Sequence, residues 1–149
     1  MKRQTHAMPR QPARDAARKQ QALSPLALWR TMKAETFDAA TAVVMREAIS
    51  TIAIIDEPTW RAAANGDAAA AAGLALRLHP DRATPLAYDL VMTAVAACAA
   101  EGNAAACLVM SRVVPRRRGA GKKDARIATS WLVRTFATAL DKRREGGTS

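Results

Sequence analysis

The chain has 149 residues and a mass of 15.9 kDa, which is the size of a single domain. Half of its residues are hydrophobic, but 36 of these are alanine, and Leu, Ile, Val and Phe together number only 26. Six aromatic residues disfavour an aromatic-packed β-sandwich or barrel, no apolar run is long enough to span a membrane, and two cysteines cannot build a disulfide scaffold.

The formal net charge of +10 is unevenly distributed along the sequence. Residues 1–23 carry +5 and residues 112–126 carry +6, whereas residues 24–111 carry −3 and residues 127–149 carry +2. Clusters of like charge raise the local electrostatic potential and attract polyanions, which evenly spread charges do far less. The excess positive charge therefore belongs to an arm and a loop attached to a mildly acidic body.

Residues 1–23 contain scattered bases, four glutamines and two prolines, and they show no sustained apolar periodicity. Such a composition predicts a disordered basic arm. The arm has no apolar segment of the kind found in secretory signals. We therefore expect a cytoplasmic protein.

From Ser24 onward the sequence shows helix signals: Ser, Thr, Asp or Asn before a helix, proline in the first turn, and Gly or Pro after the end. The clearest helix is predicted over residues 37–56. The apolar face expected for it consists of Phe37, Ala40, Val44, Ala48, Ile52 and Ile55, flanked by Met45 and Ile49. Further helices are predicted at about 24–33, 58–64, 68–78, 86–101, 104–114 and 124–144, the last capped by Asp124.

No segment shows the period-two alternation of a strand. The sequence therefore predicts an all-α protein, a compact Ala-rich bundle of six or seven helices that includes helical hairpins. Alanine favours this architecture because it has a high helix propensity and lets helices approach closely. The predicted organisation is an arm over 1–23, a single helical domain over 24–144 and a disordered tail over 145–149.

Two predicted hairpin turns, Gly66-Asp67-Ala68 and Gly102-Asn103-Ala104, recur 36 residues apart, and each second helix ends at a proline. This arrangement resembles tetratricopeptide repeats, a resemblance that implies a protein–protein adaptor. Binding would then use the groove between the helices predicted over 37–56 and 86–101. A generic pair of α-hairpins gives the same pattern and is our preferred interpretation.

The segment LALRLHPDR, residues 74–82, contains the tripeptide His79-Pro80-Asp81 between two predicted helices. It resembles the end of the second helix in J-domain co-chaperones, a resemblance that implies stimulation of a partner ATPase. A simpler interpretation is a helix stop, because a histidine at a helix C-terminus followed by a proline and a turn residue ends a helix without any further role.

The segment 112–126 is the strongest candidate for a functional site. It places seven basic residues around two glycines, directly before the N-terminus of the last helix, where backbone N–H groups favour an anion. Arg126, Ser130 and Arg134 recur every four residues, so we expect them to form one polar face of that helix. The predicted nucleic-acid-binding residues are Arg112, Arg116, Arg117, Arg118, Lys122, Lys123, Arg126 and Arg134.

Other side chains give no sign of catalysis. The loop lacks the first glycine of a nucleotide-binding P-loop, and two histidines, His6 and His79, make a metal site improbable. Cys98 and Cys107 are expected to be buried, reduced thiols. The remaining acidic and hydroxyl residues show no nucleophile or acid–base arrangement. The sequence therefore predicts no enzymatic activity, no cofactor and no metal.

These observations predict a small protein that binds nucleic acid, or another polyanion, through the basic loop and the N-terminal arm, with a regulatory role as one option. The alternative is the helical-hairpin adaptor, with the J-domain-like co-chaperone as a minor variant. An anionic membrane surface is disfavoured because no hydrophobic anchor accompanies the charge. A homo-oligomer is a further alternative, since a domain with few large aliphatic residues gains stability by burying surface against its own copy.

Overall fold

A computed structural model describes residues 24–146, so the arm predicted over 1–23 and the last three residues lie outside the described part. Within that part the chain is all-α, with six α-helices, three short 3₁₀-helices and no strand. The α-helices are α1 (Ala39–Ser50), α2 (Trp60–Ala64), α3 (Ala68–Arg77), α4 (Pro85–Ala100), α5 (Ala104–Val113) and α6 (Lys122–Glu145). The 3₁₀-helices are Pro25–Arg30, Ala34–Thr36 and Val114–Arg116. The predicted all-α class is confirmed.

Helix α4 is the centre of the bundle. Every residue from Leu90 to Ala100 is buried, and α4 packs against α1, α3, α5 and the first 3₁₀-helix. A helix surrounded on all sides has no polar face, and alanine supplies the small side chains that let its neighbours come close. The low aliphatic content of the sequence is therefore compatible with a packed core, since alanine fills much of the central layer.

Two of the predicted capping residues, Asp67 and Asn103, cap their helices as expected. Asp67 accepts hydrogen bonds from the N–H groups of Ala69 and Ala70, and Asn103 accepts one from Ala106. Gly66 precedes Asp67 with a φ of +105°, a left-handed conformation that favours glycine. A Cβ added to Gly66 would lie only 3.1 Å from the guanidinium of Arg46, so a side chain here would also require that guanidinium to shift by a few tenths of an ångström.

Helix α1 differs from its prediction in length and in orientation. It ends at Ser50 rather than near residue 56. Its buried face consists of Ala42, Met45 and Ile49, while Val44 is half-exposed and Ile55 lies beyond the helix on the surface. The face that meets the core is therefore the one that carries the flanking residues Met45 and Ile49, and the predicted stripe lies partly on the surface. This helix and α4, between which the groove was expected, pack directly against each other.

Helix α6 is the longest element, with 24 residues, and it packs mainly on α5. Ile127 and Trp131 are buried in the core. Phe136 is 62% exposed, because the C-terminal half of α6 extends past the bundle. No helix in residues 24–146 is long and apolar enough to cross a membrane.

Candidate nucleic-acid interface

The basic loop, residues 112–126, comprises the last two residues of α5, the 3₁₀-helix Val114–Arg116, a turn over residues 117–121 and the first five residues of α6. The turn closes with a hydrogen bond from the Ala120 N–H to the Arg117 carbonyl oxygen (3.1 Å), and Gly119 adopts a φ of +74°. Helix α6 begins at Lys122, two residues before the prediction, with Gly121 as its N-cap. Asp124 is therefore the third residue of the helix rather than its cap, and it accepts a hydrogen bond from the Gly121 N–H (2.8 Å).

Asp124 is the buried anchor of this loop. Its side chain is only 4% exposed, and Arg117 donates two hydrogen bonds to its two carboxylate oxygens, one of them from Nη2 at 3.0 Å. Burial acts to raise the pKa of Asp124, but the hydrogen bonds from Arg117 and Gly121 outweigh it and hold the pKa below its ordinary value. Because Arg117, Gly121 and Asp124 are tied together, the turn between them is a folded structure.

Two of the eight predicted binding residues have internal partners. Arg117 is bound to Asp124 as described. Arg134 donates hydrogen bonds to the carbonyl oxygens of Ala34, Phe37 and Ala100, at 2.6, 2.7 and 3.0 Å, and its guanidinium lies 5.6 Å from the ring centre of Trp131. Arg134 thus connects α6 to the second 3₁₀-helix and to the C-terminus of α4.

The prediction of an exposed polar face along α6 is therefore wrong for the residues after Arg126. Ser130 is buried and accepts a hydrogen bond from the Ala34 N–H (2.9 Å), so it faces the bundle together with Arg134. The four-residue spacing placed these side chains on one face correctly. It did not reveal that this face meets the backbone of residues 34–37, which lies about a hundred positions away in the sequence.

Six basic side chains of the loop are exposed: Arg112, Arg116, Arg118, Lys122, Lys123 and Arg126. Of these six side chains, only Arg118 has an ion-pair partner among the described residues. Its Nε lies 3.7 Å from Asp81, and both side chains are largely exposed. A pair this long and this exposed contributes little to stability. The loop therefore presents six cations to solvent beside a single buried acid that Arg117 already neutralises.

The fold adds a cation that the sequence analysis missed. Exposed Lys33, Arg126 and Glu35 line the same shallow surface cavity of about 360 Å³, so the added cation lies near one acidic side chain. The hydrogen bond between Ala34 and Ser130 brings Lys33 to this position. No local pattern could have indicated it, because the contact joins residues nearly a hundred positions apart.

The tripeptide His79-Pro80-Asp81 lies between α3 and α4, as expected, and reaches the basic loop through the pair of Asp81 with Arg118. His79 is exposed, and its Nδ1 lies 3.7 Å from the Asp81 carboxylate. The tripeptide therefore ends α3 and forms one border of the loop. The resemblance to J-domains stays a prediction.

The cysteines and the remaining acidic residues lie in surroundings that fit a structural role. Cys98 and Cys107 are free and buried, and burial raises the pKa of both thiols, as a reduced structural role requires. Within the described residues, no group of three or more His, Cys, Asp or Glu side chains could hold a metal ion. Glu57 forms a salt bridge of 3.6 Å with Arg77.

No protein-family model, curated protein or solved structure matches this chain significantly.

Proposed function

We propose that this chain is a binding protein that engages nucleic acid through phosphate contacts on the basic loop. The observation that carries the proposal is the set of six exposed cations on a loop whose backbone is held by the pair of Arg117 with Asp124. Neutralisation of phosphates by such side chains releases counterions, and this release supplies most of the affinity of non-specific binding.

The internal pair supports a binding role over mere solubility. Cations on a flexible tether lose conformational entropy when they bind, whereas cations on an ordered loop have already lost part of it. Arg116 and Arg118 flank Arg117, whose side chain is fixed by Asp124, so the backbone between them is positioned. The Gly121 N–H already donates to Asp124. This N–H is therefore not available to a phosphate, and the proposed contacts are made by side chains.

The loop surface extends onto neighbouring elements. Lys122 and Arg126 are one helical step of four residues apart, about 6 Å along the axis of α6, and Lys33 lies beside Arg126. This arrangement offers a phosphate backbone a continuous set of cations from the loop to the first turns of α6. The arm predicted over 1–23 would add five further positive charges. We propose that it contacts the same strand.

A matched pair of variants tests the proposal. Arg116→Gln, Arg118→Gln and Lys122→Gln together remove three charges from the loop, and Arg61→Gln, Arg143→Gln and Arg144→Gln remove three exposed charges elsewhere. Arg143 lies about 30 Å from Lys122 along α6. Fluorescence anisotropy with mixed-sequence DNA and RNA should show a loss of affinity of at least tenfold for the loop variant and a small loss for the distal one. Equal losses would contradict a localised site.

A second candidate function is protein binding through the C-terminal half of α6. Its specific support is a row of exposed apolar side chains on that helix: Leu132, Val133, Phe136 and Leu140. Exposed large apolar residues that form a contiguous surface indicate an interaction site. When the immobilised protein is incubated with cell lysate, it should retain protein partners after nuclease treatment. The variant Phe136→Ser/Leu140→Ser should not retain them. Loss of all retained partners on nuclease treatment would favour nucleic-acid binding instead.

A further inference from the structure

A cavity of about 240 Å³ opens directly beside the basic loop, between the first 3₁₀-helix, the His79-Pro80-Asp81 turn and the start of α4. Its apolar lining comes from Pro80, Ala83, Pro85 and the aromatic residues Trp29 and Tyr88. The volume corresponds to about eight waters. It is large enough for one planar ring system and too small for a folded peptide segment.

Two residues that line this cavity, Tyr88 and Arg30, each have a buried polar group with no hydrogen-bond partner among the described residues: the Tyr88 hydroxyl and Arg30 Nε. Tyr88 is 7% exposed, its ring packs edge-to-face on Trp29 with the ring centres 5.8 Å apart, and its hydroxyl is buried with no hydrogen-bond partner among the described residues. Buried hydroxyls in folded proteins nearly always have a partner. Burial raises the pKa of Tyr88, and the charges of Arg116 and Arg117 act to lower it, so the phenol is a neutral group close to the basic loop.

The charged side chains around the cavity are already paired. Arg30 donates to Asp89 at 3.1 Å, and the Trp29 indole N–H donates to the other oxygen of Asp89, also at 3.1 Å. Arg117 is held by Asp124, and Arg118 lies near Asp81. Each of these arginines lies close to a carboxylate, but Arg30 Nε and the Tyr88 hydroxyl remain without hydrogen-bond partners. The lining therefore favours a ligand with an apolar face whose edge carries hydrogen-bond acceptors and donors.

We propose that this cavity holds one unstacked nucleobase of a single strand whose phosphates lie on the basic loop. A nucleobase is neutral, planar and edged with donors and acceptors, so its faces pack on the apolar lining and its edge meets the Tyr88 hydroxyl. A base within a duplex cannot enter without leaving the stack, which costs free energy. The cavity therefore confers a preference for single strands. This inference rests on the proposed function.

The test uses the full chain and two variants that each remove one buried hydroxyl from α4. Tyr88→Phe removes the unpartnered hydroxyl and keeps the ring packing on Trp29. Thr93→Val is the matched control, because the Thr93 hydroxyl bonds within the helix to the Asp89 carbonyl oxygen (2.6 Å) and does not line the cavity. Affinities for a short mixed-sequence DNA strand and for the corresponding duplex are measured as a function of salt.

Tyr88→Phe should weaken single-strand binding by about fivefold, the effect of one hydrogen bond. It should leave duplex binding and the salt dependence unchanged, since no phosphate contact is altered. Thr93→Val should match the wild type in both assays. Equal single-strand affinities of Tyr88→Phe and the wild type would overturn the base-binding cavity while leaving the proposed loop function intact. Absence of salt-dependent binding by the wild type would overturn the proposed function itself.

A second measurement guards against a change in folding. Among the three tryptophans, the Trp29 indole N–H lies at the cavity, whereas the Trp60 indole N–H is bonded to the Ile52 carbonyl oxygen elsewhere in the bundle. Addition of the DNA strand should shift the Trp29 indole resonance in a ¹⁵N-correlated NMR spectrum and leave that of Trp60 in place. The substitution Ala83→Leu, which fills the cavity, should abolish the shift. A Trp29 resonance that ignores the strand would contradict the proposal.

Discussion

Arg134 lies in the middle of α6, and the arginines of the basic loop lie near the N-terminus of the same helix. They carry the same charge, but their surroundings differ. Arg134 is partly buried and satisfies three carbonyl oxygens of the bundle, whereas Arg116 and Arg118 point into solvent. A guanidinium can thus serve folding or binding according to the backbone groups within its reach. Net charge and spacing alone do not distinguish the two uses. The comparison predicts that stability and nucleic-acid affinity respond to different arginines.

Replacing Arg134 by alanine should have the largest effect on stability. The change leaves the buried carbonyl oxygens of Ala34, Phe37 and Ala100 without this donor, and hydrogen bonds to a charged group contribute about 1.5–3 kcal/mol each. We expect a loss of about 3 kcal/mol in the free energy of unfolding, measured by urea denaturation. Arg126→Ala, on an exposed position of the same helix, is the control and should change stability by less than about 0.5 kcal/mol. Equal effects of the two would refute the distinction.

Enlarging an alanine in the centre of the bundle should have the next largest effect. Ala96 on α4 is completely buried, so Ala96→Leu must force neighbouring helices apart and should cost about 2 kcal/mol. Ala137 is exposed on α6, and Ala137→Leu should be nearly neutral. Thermal unfolding of both variants checks the expectation. A stable Ala96→Leu protein would show that α4 is not closely surrounded.

Asp124 links the two regions, because it helps the loop fold and keeps Arg117 out of solvent. Asp124→Asn should lower stability near neutral pH by about 1.5 kcal/mol, as expected for weakening hydrogen bonds between charged groups. Since the folded-state pKa of Asp124 is lowered, its stabilisation is fully present above the unfolded-state pKa of about 4 and is lost as the pH falls through the folded-state value.

Urea titrations at several pH values between neutral and about pH 2.5 measure this dependence. The wild type and Asp124→Asn should differ most at neutral pH and converge in acid. Glu101, whose pKa is lowered by its pairing with Arg46, contributes acid sensitivity to both proteins and cancels in the comparison. A difference in stability between the two proteins that persists or grows in acid would contradict a lowered pKa of Asp124.

Arg118→Ala should have the smallest effect on stability. The side chain is 85% exposed and its contact with Asp81 is long, so the free energy of unfolding should change by less than about 0.5 kcal/mol. The same variant should nevertheless bind nucleic acid more weakly than the wild type in anisotropy measurements. A large loss of stability would show that Arg118, like Arg134, contributes to folding rather than to binding.

The all-α class and many of the helix ends could be predicted from the sequence because they depend on local chemistry. Asp67, Thr84 and Asn103 cap the helices that their positions indicated, since a cap bonds to N–H groups two or three residues away. The apolar face of α1 was misassigned because alanine-rich helices carry a weak amphipathic signal. Small residues occupy buried and exposed positions alike.

The candidate site could be predicted only in part. The exposed cations of residues 112–126 follow from the charge distribution, but the internal roles of Arg117 and Arg134 depend on which partners the fold brings to them. Lys33 and the cavity at Tyr88 depend on contacts between distant segments. These are tertiary features, so no spacing rule in a single sequence could have found them.

The salt dependence of nucleic-acid binding tests the central claim most directly. For the wild type, the logarithm of the binding constant should fall linearly with the logarithm of salt concentration. Removing three loop charges, at Arg116, Arg118 and Lys122, should make that slope shallower by about 2–3, since each phosphate contact contributes about 0.7–0.9. The distal variant at Arg61, Arg143 and Arg144 should keep the wild-type slope. Identical slopes for the wild type and the loop variant would contradict the account.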